Sequence, residues 1–186
     1  INCNLNCNFC CEYRHHTYEN KVKFLKFTSE LSNRIDKVIL ADKDVKNYLP
    51  TTSGEPFMNR FFKDYFLFNL HTSGIKSSMI ITNASVIDKS YIMKLIDYTK
   101  KYDIHITFVM SICSYDKSIL EKEEKGAKFE KIIENAVLLS SNFNCIVSVL
   151  QSDFNINDDF ENQVSKFLEL GVKANYFQFE KDVLNN

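Results

Sequence analysis

Cysteines spaced Cys3-x3-Cys7-x2-Cys10, with Cys11 directly behind and His15 and His16 close by, crowd metal-ligating side chains into the stretch INCNLNCNFCCEYRHHTY. Cysteine thiolates hold zinc or iron–sulfur clusters. A structural zinc site takes four ligands, commonly as two separated C-x2-4-C pairs, and here the cysteines form one close group. The spacing also departs from the usual ferredoxin arrangements. Three thiolates on a four-iron cluster leave one iron open, which marks a reacting site rather than a staple. From the residues alone, a zinc-stabilised binding module using Cys3, Cys7 and Cys10 with Cys11 or His15 stays an alternative.

Such a site needs elements to hold it, and the rest of the chain supplies them in alternation. Val22, Leu25, Phe27, Leu31 and Ile35 recur at helical spacing from about Glu19 to Arg34. VKNYLPTTSGEP reads as an extended run ending in a loop, with Pro50 weakening the strand. Helices are predicted over 57–70, 88–102 with Asp88 as N-cap, 126–141, and 157–171, the last stopping at Gly171. Strands are predicted over 77–83, 104–112, 144–151 and 172–180. Strand and helix alternating with short links is the pattern of βα units on a parallel sheet. In such folds ligands sit at the strand C-terminal edge, where TTSGEP, TNAS, SICS and QSDFN converge. One domain, 1–186, is expected.

Composition bounds the rest. The chain has 186 residues with 45% hydrophobic, enough for a core, and only 4 Gly and 2 Pro, so it is no low-complexity chain. With 23 basic and 24 acidic residues there is no electrostatic reason to expect a nucleic-acid partner. The mixed-charge run EKEEKGAKFEK at 121–131 reads as a solvated helix face. No apolar run is long enough to span a bilayer, and no membrane partner is expected. A disulfide framework would spread its cysteines to close loops; this clustering predicts a reduced set and a cytoplasmic location. Cys113 and Cys145 read as small buried residues, Cys113 with a possible substrate contact.

CxxxCxxC with an aromatic, Phe9, before the last cysteine resembles the radical S-adenosylmethionine (radical SAM) superfamily. Three companions strengthen the likeness. SGEP at 53–56 resembles the family's GGEP loop, with Ser53 in place of the first Gly. ITNAS at 81–85 resembles its TNG turn, with Ala84 in place of Gly. SICS at 111–114 resembles its SxD motif, with Ser111 kept and Cys113 where Asp is common.

The resemblance covers essentially the whole chain. It implies an α/β parallel-stranded partial (β/α)6 barrel, TIM-barrel-like. The strand that would precede the cluster is absent, so the chain is expected to begin mid-domain, with the second strand as an exposed edge.

By the same resemblance, Cys3, Cys7 and Cys10 bind a [4Fe–4S] cluster whose fourth iron is chelated by S-adenosylmethionine. Phe9, Ser53, Gly54, Glu55 and Ser111 contact that cofactor, with Thr82, Gln151 and Asn155 as further candidates. Gly54 permits close backbone approach, and Glu55 offers its carboxylate to the methionyl amino group. The implied reaction is reductive cleavage of S-adenosylmethionine to a 5′-deoxyadenosyl radical that abstracts hydrogen from a peptide or protein side chain, or from a small metabolite. An electron donor of flavodoxin or ferredoxin type is the implied partner. A relative that keeps the fold without catalysis is the other alternative.

The remaining candidates have ordinary readings. Cys11 reads as a bystander, because adjacent residues rarely face one cluster, and His15 and His16 read as exposed loop residues. His71 and His105 have no motif support. Gln178 is a weak candidate, and Val147 and Val149 fit core packing as well as an adenine pocket.

Overall fold

The structure is a computed structural model that describes residues 3–7, 34, 37–38, 41–42, 47–50, 54–58, 62–151 and 159–181, without the side chains of 64, 65, 150, 151, 160 and 179–181. Among these residues lie β1 (Asn6–Cys7), β2 (Asn47–Tyr48), a 3-10 turn (Pro56–Met58), α1 (Phe62–Ser73), β3 (Ser77–Thr82) and α2 (Lys89–Tyr102). They are followed by β4 (His105–Ser111), α3 (Lys117–Glu123), β5 (Glu124–Lys125), α4 (Phe129–Ser140), β6 (Asn144–Gln151), α5 (Phe160–Glu169) and β7 (Tyr176–Lys181). The predicted helix over about 19–34 falls largely outside the described residues.

Five strands form one sheet in the order β2-β3-β4-β6-β7, and every pairing in it is parallel. This is the expected α/β architecture, with β2 at the sheet edge and no closure into a barrel among the described residues. The register places Thr82 beside Met110, Ser111 beside Ser148, and Gln151 beside Lys181. All strand C-terminal ends therefore share one edge.

The core follows from the strand pattern. Ile80, Phe108, Met110, Val147 and Val149 are buried in the sheet, against Ile92 and Leu95 of α2, Ile132 and Leu139 of α4, and Phe167 of α5. A parallel sheet buried by helices reads as near-continuous apolar runs, which is why IHITFVMSI and NCIVSVLQ were legible as strands. Cys145 belongs to this core, and burial pushes its thiol up to about 12. Helix starts obey local capping: Asp88 accepts from the backbone N–H of Ser90 and Tyr91, and Asp116 does the same for Ser118 and Ile119.

Three expectations need correction. The region 57–70 is not one helix; it begins with the 3-10 turn Pro56–Met58, and α1 runs Phe62–Ser73. The last strand begins at Tyr176 rather than 172. Gly171 is left-handed (φ 86°), Val172 tucks back with its N–H on the Phe167 carbonyl, and Asn175 brackets Cys145 before the strand starts.

The third concerns the charge run at 121–131, which is not a solvated helix face. It contains the end of α3, the strand β5, a left-handed turn at Gly126 (φ 95°) and the start of α4. Lys122, Lys125 and Lys128 are exposed, but Glu123 and Glu124 are buried. Glu121 accepts the N–H of Phe129 at 3.0 Å, because the N-cap Lys128 has no acceptor to offer.

Candidate functional site

The SGEP loop follows β2 and turns inward at Gly54, whose φ of 76° lies in the left-handed region that a side chain disfavours. Pro56 then opens the 3-10 turn with its fixed φ, closed by the Met58 N–H on the Glu55 carbonyl at 3.1 Å. Phe57 anchors the loop in the core, edge-on to Phe62 (5.5 Å between centroids) and stacked with Phe108 (6.5 Å).

The result is a carboxylate held inside the protein: Glu55 is 2% exposed. Its Oε1 accepts from Thr82 Oγ1 at 2.9 Å and from the Phe57 N–H at 3.2 Å, and its Oε2 accepts from the Asn83 N–H at 2.8 Å. All three donors are neutral. Burial therefore dominates and raises the Glu55 pKa to about 7, opposed in part by the Asn83, Thr82 and Phe57 donors.

The TNAS turn after β3 is built from side chain to backbone. Thr82 Oγ1 also accepts the Ala84 N–H at 3.1 Å, and Asn83 Oδ1 accepts the Ser85 N–H at 2.9 Å. Ala84 is buried at φ 55°, so it adopts the conformation that glycine would adopt at this position of a TNG turn. Asn135 of α4 holds that turn from behind, donating Nδ2 to the Ala84 carbonyl at 2.7 Å.

The cysteine segment is clamped from two sides. On one, Asn4 Nδ2 donates to Ser85 Oγ at 2.8 Å, and Asn83 Nδ2 lies 3.6 Å from Cys3 Sγ and 3.5 Å from Asn4 Oδ1. On the other, Asn6 and Cys7 pair antiparallel with Lys125 and Glu124. Glu124 in turn accepts the Cys113 N–H at 3.0 Å through Oε1, and its buried Oε2 has no hydrogen-bond partner among the described residues. Burial raises the Glu124 pKa to about 7; burial and then the nearby Glu124 carboxyl push the Cys113 thiol well up. Cys113 is thus a buried neutral thiol.

Cys3 is exposed and Cys7 half-buried, and neither is in a disulfide among the described residues. Two soft thiol donors beside a buried carboxylate fit an iron–sulfur cluster with a chelating amino-acid cofactor. No group of three or more His, Cys, Asp or Glu side chains forms a metal-sized cluster among the described residues. Cys10, Phe9, Ser53 and Asn155 lie outside the described residues, as do Cys11, His15 and His16.

The structure thus brings together Cys3, Glu55 and Thr82 through Asn83. Ser111 ends β4 on the same edge and is exposed. Gln151 ends β6, with its side chain outside the described residues. Gln178 lies mid-strand on β7, the outer strand of the sheet, where it pairs with Ser148 and is half-buried. His105 starts β4, at the opposite edge, and His71 packs on Tyr102 at 4.9 Å between centroids.

Sequence reasoning assigned no role to Asn83, Asn135 or Glu124. The Asn83–Ser85 pair carried a signal, since Asn two residues before a capped N–H is an Asx turn. Glu124 carried none, being hidden in alternating charges.

A family model described as the radical SAM superfamily matches residues 1–162. No curated protein matches the chain. Solved structures of Streptococcus suis SuiB are similar in fold. One, 20% identical, has a TM-score of 0.65 over 97% of this chain and 37% of that one. The form bound to S-adenosylmethionine is 21% identical, with a TM-score of 0.66 over 97% of this chain and 38% of that one. The form bound to the precursor peptide SuiA is 19% identical, with a TM-score of 0.64 over 97% and 37%. The chain therefore spans less than two fifths of the length of these structures.

Proposed function

The chain belongs to the radical SAM superfamily, and on that premise we propose that it holds a [4Fe–4S] cluster on Cys3, Cys7 and Cys10 and uses S-adenosylmethionine as an enzyme of that class. The observation that carries the reading is the buried Glu55 carboxylate, oriented by Thr82 and Asn83, whose turn also reaches Cys3. With both groups held there, the chemistry supplied would be one-electron cleavage of the sulfonium and hydrogen abstraction from the substrate.

The chain's own residues bind and orient. Glu55 presents its carboxylate to the cofactor's amino group, Gly54 lets the backbone come close, and Thr82 holds the carboxylate at the required angle. Ser111 and Gln151, at the same strand ends, are candidate contacts for the rest of the cofactor or the substrate; Asn155, Phe9 and Ser53 are proposed as cofactor contacts from the family resemblance alone. Val147, Val149 and Met110 face the covering helices and support the strands that carry Ser111 and Gln151.

A peptide side chain is the proposed substrate class, supported by a SuiB structure of the same fold that holds a precursor peptide. A small-molecule substrate is the alternative. The proposed electron donor is a flavodoxin or ferredoxin, and the proposed location is cytoplasmic, where thiols stay reduced. No helix among the described residues is long and apolar enough to cross a membrane.

Anaerobic reconstitution with iron and sulfide tests the reading. The expected product is a brown protein with about four irons per chain, as a four-iron cluster requires, which releases 5′-deoxyadenosine from S-adenosylmethionine when reduced. A colourless protein with one zinc would mean a binding module instead. A loaded, reduced cluster that releases no 5′-deoxyadenosine would mean a non-catalytic relative.

A further inference from the structure

Resting on the reading that Cys3 ligates the cluster, we propose that Asn83 sets the cluster's reduction potential by donating an N–H···S hydrogen bond to the Cys3 sulfur. The Asn83 amide cannot turn over. Its Oδ1 accepts the Ser85 backbone N–H at 2.9 Å, and a backbone N–H can only donate. The NH2 end must therefore face Cys3 Sγ, 3.6 Å away, with Asn4 Oδ1 as its other acceptor at 3.5 Å.

The backbone is equally fixed. The Asn83 N–H is held by Glu55 Oε2 at 2.8 Å, and the next residue, Ala84, is pinned by Thr82 and Asn135. Asn83 is thus a rigid donor that joins the carboxylate offered to the cofactor with a sulfur offered to iron.

A donor to a ligating sulfur withdraws electron density and stabilises the more negative, reduced cluster, which raises the potential. Losing the donor should make the cluster harder to reduce. The role is one of positioning and tuning; no bond to Asn83 forms or breaks.

Two substitutions isolate the donor. Asn83→Asp keeps an acceptor for the Ser85 N–H but loses the NH2. Asn83→Ser also keeps an acceptor, through a hydroxyl too short to reach the sulfur, and adds no charge. Met93→Ala, at an exposed position of α2, is the control.

Potentiometric titration of the reconstituted chain, followed by electron paramagnetic resonance, reads the effect. At the parent's midpoint the reduced-to-oxidised ratio should fall about tenfold in both Asn83 variants, a shift of about 59 mV to the negative for one electron. Met93→Ala should titrate like the parent. The parent potential in both Asn83 variants at full iron content would overturn the proposal. So would loss of cluster loading in both of them alone, which would make Asn83 a support of the turn. A parent chain that takes up no iron would instead sink the cluster reading itself.

Discussion

Thr82 Oγ1 donates to Glu55 Oε1 at 2.9 Å while accepting the Ala84 N–H, so one hydroxyl serves both the carboxylate and the turn after β3. Both partners are buried. Thr82→Val keeps the shape but leaves Oε1 with only the Phe57 N–H and orphans the Ala84 N–H. The expected cost is about 1–3 kcal/mol of stability, the range for an unsatisfied buried polar group. Binding of S-adenosylmethionine to the reconstituted protein should weaken as Glu55 loses its orientation. Thr82→Ser should restore most of both in denaturant titration and calorimetry. If valine matches serine, the hydroxyl is not the orienting group.

The two buried glutamates make a pH prediction. Glu55 and Glu124 each have a folded pKa of about 7 against an ordinary 4.5, because burial penalises the charged form. The folded state therefore binds more protons between those values, and stability falls as pH rises. Each group's contribution is fully present below pH 4.5 and is lost as pH rises through 7, by up to roughly 3 kcal/mol per group. Asp88 works the other way: its Lys63 partner and the Ser90 and Tyr91 donors hold it well below the usual range, so its contribution is lost only in stronger acid. Urea midpoints of the cluster-free chain, kept reduced, should drop from pH 5 to pH 8. Glu55→Gln and Glu124→Gln should each flatten that slope. A midpoint that climbs over this interval would contradict the assigned burial.

Ala84 offers a test of strain against packing. Its left-handed φ costs about 1–2 kcal/mol, which glycine would relieve. Removing the buried methyl costs about 0.8 kcal/mol, and the looser unfolded chain of glycine a further 0.4–1 kcal/mol or so. The terms nearly cancel, so Ala84→Gly should change stability by less than about 0.5 kcal/mol. Asn135→Ala should cost about 1–3 kcal/mol, since it orphans the buried Ala84 carbonyl that now accepts from it. A glycine variant weakened as much as the Asn135 variant would mean that φ 55° carries no strain.

The strands of the sheet were legible because a parallel sheet covered by helices writes itself as apolar runs between caps: β6 runs over 144–151 as read, and α2 begins after Asp88 as read. Glu55 was singled out through the likeness of SGEP to the family's GGEP loop; Pro56 alone would equally suit an ordinary acid at a helix start, and the structure buries the carboxylate. Asn83, Asn135 and Glu124 were not, because their roles are set by partners far along the chain: Cys3, Ala84 and Cys113. The charge run at 121–131 misled for a related reason. Alternating Glu and Lys looks solvated whichever face is outward, and only Gly126 hints that the helix stops there.

Gly126 also lies against the cysteine segment. Its φ is 95°, and a Cβ there would lie 3.4 Å from the Asn4 carbonyl oxygen and 3.8 Å from Leu5 Cδ2. Gly74, between α1 and β3, is equally left-handed (φ 72°) but has open space around its missing Cβ. Alanine at either position carries strain of about 1–2 kcal/mol. Only Gly126→Ala also sets its strained turn and a new methyl in contact with the segment that pairs through Asn6 and Cys7 with β5. The two variants should therefore lose similar stability, read by the urea midpoint. They should part in iron uptake: Gly74→Ala should load like the parent, and Gly126→Ala should load less iron and bleach faster under a chelator. Equal loading would show that the cysteine segment does not depend on its seat against β5. A deficit in both would assign the loss to general destabilisation.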